Sequence, residues 1–499
     1  MRKTASGYRL IFGYLGLFIT FVGVATLLPL LALFFYPEEA GDWYCFAIPG
    51  GGAIILGIAL FLLIANRIKA QLGKFQDSIL LVLIWVCAIF ISAVPLFIKG
   101  GISFTDAMFE TTSAYATVGL TVFPKSFYGL HMFILYRSIL CFIGGIGLVL
   151  IITSAISDRY GLKLYLAEGH SDKLMPHLGR SARLILTIYS SFVLLGILLY
   201  WAAGMSFFDA IVHSISAVAT AGFSSKYQGL MAYAGQPNWW LIQAISVLLM
   251  VLGATNFLLA LFLFTGRFKR VFKDCEIRFF GILCLIFIPL FVLSAFFSGK
   301  DLSFGKAFTQ GSFTFISSIT TTGFANVSDM KTLGQGVILL VTLMNIIGGG
   351  MGSTSGGVKQ YRMIIALKSF YWSTKESTAS QNTIYPHYVY RFGDQKEINE
   401  REIASSFSYI LLYVALLFAG SLLVAVFNKG ASSFGDSMFE FSNALACTGL
   451  SVGLTSAATT TIGAKWTLIV GMFAGRLEII VIYFAFFRSI RDLFGKETI

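Results

Sequence analysis

The sequence predicts an all-α membrane protein with ten transmembrane helices. Eight of them form four pseudo-fourfold helix, pore-loop, helix repeats around one pore, preceded by two extra N-terminal helices. Three observations lead there. Hydrophobic residues make up 57% of the 499 positions and charged residues 12%, about half the roughly 25% of a soluble domain. Apolar runs of about 20 residues, long enough to cross a hydrocarbon core of roughly 30 Å, recur from end to end. A glycine-centred pattern also appears four times: Thr117-Val118-Gly119-Leu120-Thr121, Thr220-Ala221-Gly222-Phe223-Ser224, Thr322-Gly323-Phe324-Ala325 and Cys447-Thr448-Gly449-Leu450-Ser451.

Arg2, Lys3 and Arg9 precede an apolar run from about Leu10 to Phe35. It is too long for a signal-peptide core and no small-residue cleavage pattern follows, so it is expected to be the first membrane helix rather than a cleaved leader. Apolar spans between charged loops lie near 10–36, 45–66, 78–99, 131–157, 184–204, 239–266, 278–298, 335–366, 404–427 and 466–487. An even number of crossings puts both termini on one side. Most of the 36 Lys and Arg residues fall on that side, so the positive-inside rule makes both termini cytoplasmic in a plasma membrane. The same distribution explains the net charge of +12 without nucleic acid. Six cysteines without metal or disulfide spacing are expected to be reduced and structural.

From residue 78 the order repeats as helix, outer loop with a short semi-apolar segment and signature, then helix. The units are 1–75 (two extra helices), 76–160, 161–275, 276–368 (with a broken second helix), a cytoplasmic linker 369–403, and 404–499. The short segments open alike, at Phe104-Thr105-Asp106, Phe207-Phe208-Asp209, Phe304-Gly305-Lys306 and Phe434-Gly435-Asp436, and the third copy is about one helical turn longer. Asp106, Asp209 and Asp436 suit a helix N-terminus. The segments are too short to cross, so they are expected to re-enter.

Non-helical backbone at membrane depth is tolerated only when buried in protein or lining a watery cavity. A central glycine lets carbonyls turn toward a shared axis, and rings of carbonyls can replace the hydration shell of a monovalent cation. The predicted filter residues are Thr117, Val118, Gly119, Thr220, Ala221, Gly222, Thr321, Thr322, Gly323, Cys447, Thr448 and Gly449. Inward-aimed short helices also point their partially negative C-terminal ends at the cavity.

A second stretch runs from Ile346 to Gly357 with six glycines in twelve residues, which predicts a broken helix. It lacks the lysine of a phosphate loop, the third glycine of a dinucleotide fingerprint and the serine of a nucleophile elbow. A packing motif is the plain alternative. The functional reading makes Gly348, Gly349, Gly350, Gly352, Ser353, Thr354, Ser355, Gly356 and Gly357 a flexible gate below the filter. Arg476, deep in an apolar run, should face the interior, a watery path or a partner; packing on backbone carbonyls is its alternative. Arg137 reads as an interface anchor and His213 as a packed or hydrogen-bonded residue. Asp106, Glu110, Asp209, Asp301, Asp329, Asp436 and Glu440 make the outer loops acidic, a charge that would concentrate cations at the mouth; helix caps or solvated positions are the plain reading for most of them. The polar segments 158–183 and 369–403 read as solvated loops.

With these motifs, residues 10–488 resemble the Trk/Ktr/HKT superfamily of potassium transporters, and ten helices resemble its TrkH branch more than its KtrB branch. The four signatures match that superfamily's filter segments, the loop matches its GGxxGSTxGG gate, and Gly-Arg-Leu-Glu around Arg476 matches its pore arginine. The resemblance implies K+ as the transported ion, held by filter carbonyls, and Gly119 in the position where serine accompanies sodium selectivity. It further implies a homodimer among membrane lipids, with a cytosolic nucleotide-binding TrkA-like ring docking on the polar loops. Potassium uptake is therefore expected, with sodium transport or proton- or sodium-coupled potassium symport as alternatives. An intramembrane lipid-modifying enzyme is the distant one, since the spans almost entirely lack convergent His, Asp and Glu.

Overall fold

The computed structural model describes residues 8–62, 76–147, 178–298, 302–379, 385–428, 433–456 and 460–493. The elements in order are α1 (Tyr8–Leu27), α2 (Tyr44–Leu62), α3 (Gln76–Lys99), α4 (Phe104–Tyr115), α5 (His131–Ile146), α6 (Leu178–Ala202), α7 (Phe207–Val218), α8 (Trp239–Ala254), α9 (Phe257–Phe264) and α10 (Phe268–Lys273). They continue with α11 (Cys275–Ser298), α12 (Phe304–Ile319), α13 (Gln335–Ile347), α14 (Gln360–Ser377), a hairpin β1 (Tyr388–Arg391) and β2 (Asp394–Glu397), α15 (Glu400–Phe427), α16 (Phe434–Leu445), α17 (Ile462–Arg476) and α18 (Ile479–Leu493).

Among these, six helices are long and apolar enough to cross a membrane, and two bent pairs, α8 with α9 and α17 with α18, pass that test together. The expected spans 239–266 and 466–487 are thus not continuous, turning by 115° and 100° at their breaks. At the first break Thr255 is extended and the Asn256 side chain caps α9 by accepting from Leu258 N–H. At the second, Glu478 adopts φ +57, a conformation that ends a right-handed helix. The first expected span, 10–36, is α-helical only to Leu27 and tightens into a 3-10 turn, Leu28–Phe34, where Pro29 enters.

α1 and α2 stand beside the rest as a close pair. A Cβ on Gly23 would lie 2.8 Å from Gly50 O, and one on Gly50 2.7 Å from Leu27, so only hydrogen fits the seam. Small residues let helix backbones approach in this way inside a bilayer, where burial away from water supplies little attraction.

The short segments are α4, α7, α12 and α16. Three are 12 residues long, and the third copy is 16, which is the extra turn read from the spacing. Ser103, Ser206 and Ser433 cap them by accepting from the N–H groups of Asp106, Asp209 and Asp436, a Ser-x-x-Asp variant of the capping box. Ser303 makes no such bond, and Lys306 stands where the others carry Asp.

The segment 369–403 is not a solvated linker. α14 continues to Ser377, and the hairpin pairs Tyr388 with Glu397 and Arg391 with Asp394. Val389 and Ile398 are buried in a small core with Cys275, Met351, Tyr361, Ile364, Ile365 and Trp372. Most of the 158–183 segment lies outside the described residues. The six cysteines are free thiols, four of them buried.

Candidate functional site

The four signatures fold identically. Each short helix ends in a residue of right-handed conformation, Ala116, Ala219, Thr320 or Ala446. The next residue is left-handed: Thr117 (φ +53), Thr220 (+51), Thr321 (+51) and Cys447 (+56). The following N–H returns to the helix, with Val118 on Ser113 O, Ala221 on Ser216 O, Thr322 on Ser317 O and Thr448 on Asn443 O, at 2.8 to 2.9 Å. This is the Schellman ending, which normally places glycine at the left-handed position. A β-branched residue there is strained, by roughly 1–2 kcal/mol. Cys447, which departs from the threonine of the other three signatures, holds the same backbone.

The glycines come next, at φ +92 (Gly119), +70 (Gly222), +85 (Gly323) and +89 (Gly449). Their surroundings form a closed cycle. A Cβ on Gly119 would run into the Ala221 carbonyl, one on Gly222 into Thr322, one on Gly323 into Thr448, and one on Gly449 into Val118. Each glycine thus borders the carbonyl just before the next one, and the fourth returns to the first. No side chain fits between neighbours, so carbonyls are the polar groups at the ring. The C-terminal ends of the four short helices arrive at this ring, bringing their partial negative charge.

Buried polar groups brace it from behind. Glu110 accepts from Thr121 Oγ1 (2.9 Å) and Val122 N (3.0 Å), while His213 Nε2 lies 2.9 Å from Ser224 Oγ. Glu440 accepts from Ser451 Oγ (2.5 Å), Val452 N (2.9 Å), Leu454 N (3.3 Å) and Thr455 Oγ1 (2.8 Å). Each brace sits six residues after the opening Phe of its helix and holds the residue two past its glycine. That fixed offset was the readable signal for a role the sequence reading missed. Arg137 is no interface anchor: it is buried, donates to Glu110 Oε1 (2.9 Å) and to Ser224 O (2.7 Å), and lies over the Phe223 ring at 4.4 Å. The guanidinium therefore ties the first signature to the second.

The acidic mouth is also largely neutralised. Asp106 pairs with Lys465 at 2.6 Å, Asp209 with Lys226 at 3.4 Å and Asp436 with Lys331 at 3.4 Å. Glu110 and Glu440 are buried, Asp329 accepts from Lys331 N–H, and Asp301 lies outside the described residues. Above the ring opens a cavity of about 800 Å³ lined by Thr121, Phe123, Tyr128, Tyr227, Ser328 and Thr455.

α13 stops at Ile347 and α14 begins at Gln360, so the helix is broken where the glycines predict. The intervening loop presses on the underside of the ring. Gly356 N–H donates to Thr321 Oγ1 (2.7 Å), Thr220 Oγ1 to Thr354 Oγ1 (3.2 Å), and a Cβ on Gly356 would collide with the Ala446 carbonyl. These contacts explain two of the strained threonines, Thr220 and Thr321: glycine would ease the backbone but remove the hydroxyls the loop engages. Thr354 also donates to Gly253 O (2.9 Å) and Val218 O (3.0 Å), and Gly350 N–H reaches Ala254 O (3.0 Å).

Arg476 closes the remaining quadrant. It donates to Thr354 O (3.0 Å), Gly145 O (3.0 Å) and Gly144 O, so the carbonyl-bonded alternative describes its contacts, and those carbonyls belong to the loop and to the first repeat. Glu478 pairs instead with Arg362 at 2.9 Å. A cavity of about 40 Å³ beneath is lined by Gly147, Ser355, Lys359, Tyr409, Arg476 and Glu478. Gly348, Gly349, Gly352, Ser353 and Gly357 all lie in the same loop, where Ser353 Oγ is 2.7 Å from Ser355 Oγ.

Comparison with known proteins gives one consistent answer. A family model described as TrkH, cation transport protein, matches residues 121–491. An uncharacterized cation transporter of Methanocaldococcus jannaschii is 29% identical, the match covering 99% of each chain. The Trk system potassium uptake protein TrkG of Escherichia coli is 28% identical over 97% of this chain and 99% of its own. The crystal structure of the potassium transporter TrkH from Vibrio parahaemolyticus superposes with a TM-score of 0.82 at 25% identity, over 95% of this chain and 98% of that one. With its multi-pass helical fold and a family match over most of its length, the chain belongs to the TrkH family of cation transport proteins.

Proposed function

We propose that this chain takes up potassium across a bacterial inner membrane, through a selectivity filter formed by the four signatures and closed by the 348–357 loop with Arg476. The observation that carries the reading is the ring in which each glycine abuts the carbonyl preceding the next. A dehydrated monovalent cation on its axis would meet inward carbonyls in place of water, in the field of four helix C-termini. The names of the relatives, Trk potassium uptake proteins among them, support K+ as that cation. So does glycine rather than serine at 119.

In this reading ten crossings form four pseudo-fourfold repeats plus α1 and α2, with both termini cytoplasmic. The working unit is a homodimer in lipid, regulated by a cytosolic nucleotide-binding ring on the 158–183 and 369–403 segments. Ions enter from the 800 Å³ mouth and stop at the loop. The loop's backbone and hydroxyl bonds to the second and third signatures, and the Arg476 bridge to the first repeat, hold the path shut. Arg476 adds a fixed positive charge that raises the energy of a passing cation.

The test is rubidium or potassium flux into proteoliposomes, run with and without a sodium or proton gradient. Uptake down a potassium gradient alone is expected; uptake only when a sodium or proton gradient is imposed would replace the channel-like reading with coupled symport.

A further inference from the structure

The loop is held from two directions, and only one of them is the filter. On the other side, Met351 N–H donates to Glu276 Oε1 (2.8 Å), Asn256 Nδ2 donates to Met351 O (2.5 Å), and Phe257 N–H reaches Gly352 O (3.3 Å). Glu276 stands in the first turn of α11 and is buried. Its second oxygen lies 3.9 Å from Arg391 Nη1 of the hairpin, and both side chains are under 5% exposed. Arg391 stacks over Tyr361 at 4.0 Å, at the start of α14. The neighbouring Asp274 accepts from Glu276 N–H with one oxygen and from Phe392 N–H, at the hairpin turn, with the other, both at 2.8 Å. The Met351 side chain itself is packed in the hairpin core with Val389 and Ile398.

We propose that Glu276 is a positioning residue that transmits the placement of the 388–397 hairpin to the loop. The proposal rests on the loop being the gate. The chemistry is specific. A buried carboxylate needs its hydrogen bonds and counter-charge, and removing it leaves a buried guanidinium undercompensated. Arg391 and the Met351 amide therefore bear on the two oxygens of one buried carboxylate. Met351 adds a steric arm: a hairpin pulled away from α11 opens a void where its side chain sat, and interiors do not tolerate voids without rearrangement. Because Met351 lies five residues before Gly356, which touches the third signature, a displacement at the hairpin reaches the underside of the ring through one short stretch of backbone.

The experiment measures rubidium leak in proteoliposomes for the native chain, Glu276→Ala, Glu276→Gln, Val389→Ser, a deletion of Gly350–Gly356, and the deletion combined with Glu276→Ala. Expected are a leak at least about fivefold above native for Glu276→Ala and Val389→Ser, the lower end of ordinary coupling between sites. Glu276→Gln, which keeps an acceptor for the Met351 amide but loses the charge facing Arg391, leaks less than Glu276→Ala and more than native, and Glu276→Ala adds nothing once the loop is deleted. A deletion that leaks while well-dispersed Glu276→Ala and Val389→Ser do not would overturn the linkage and leave the gate reading intact. A deletion that does not leak overturns both. Additive leaks in the combined variant also overturn the linkage. If Glu276→Ala does not reach the membrane, Val389→Ser, placed in the hairpin, decides alone.

Discussion

Replacing Gly323 with alanine tests the ring most directly, because Gly453 provides a matched control. Both glycines have nearly the same φ, +85 and +88. Alanine at either therefore bears a similar left-handed strain of roughly 1–2 kcal/mol. Their surroundings differ. A Cβ at 453 has nothing within 4 Å, whereas one at 323 would stand 2.8 Å from the Thr448 carbonyl carbon, nearer still to its oxygen, and 3.2 Å from Gly449 Cα. Ordinary carbon contacts are about 3.5–4.0 Å, so the third and fourth signatures must part by at least about 1 Å. In the proposed filter, that displacement turns a coordinating carbonyl off the axis. The expected result in paired rubidium and sodium flux assays is a potassium-over-sodium preference reduced at least tenfold in Gly323→Ala, or about 1.4 kcal/mol of discrimination. Gly453→Ala should stay near native. If both variants, present in the membrane at equal amounts, keep the native preference, the ring is not where cations are distinguished.

Three further outcomes follow from named contacts. Arg137→Met leaves Glu110 buried without its cation and should cost about 3–5 kcal/mol, read as a lowered melting temperature in detergent. Glu440→Ala removes one acceptor from four donors behind the fourth signature and should lower the preference for potassium with less loss of stability than Arg137→Met, because no charge is stranded; a larger stability loss would contradict this. Arg476→Ala removes three bonds to Thr354, Gly144 and Gly145 and a positive charge from the path, so resting flux should rise, and unchanged flux in a membrane-inserted variant would remove it from the gate.

Much of the site was legible because glycine leaves a mark wherever backbone must meet backbone. Gly119, Gly222, Gly323 and Gly449 announced the ring, and the 348–357 run announced a break that the structure contains. The bends at Asn256 and Glu478 were not legible, since one is an ordinary cap and the other a left-handed glutamate without glycine or proline beside it. Arg137 was misread because its partners, Glu110 and Ser224, are distant in sequence and a charge in an apolar run looks alike whether it snorkels or pairs. The hairpin did leave a signal: Phe392-Gly393 (φ +56 and +91) between short alternating segments is a two-residue turn. It went unread because the surrounding polarity resembled a plain loop.

The cycle of contacts closes where Gly449 meets Val118, and the buried Asp106–Lys465 pair fastens the same seam between residues 359 positions apart. Synthesis proceeds from the N-terminus, so this seam is the last part of the ring to exist. Until the fourth segment emerges, three of the four signatures stand without the neighbour that closes the cycle. A chain cut short by a stalled ribosome or a nonsense codon therefore lacks the closed ring, which is complete only near the end of translation.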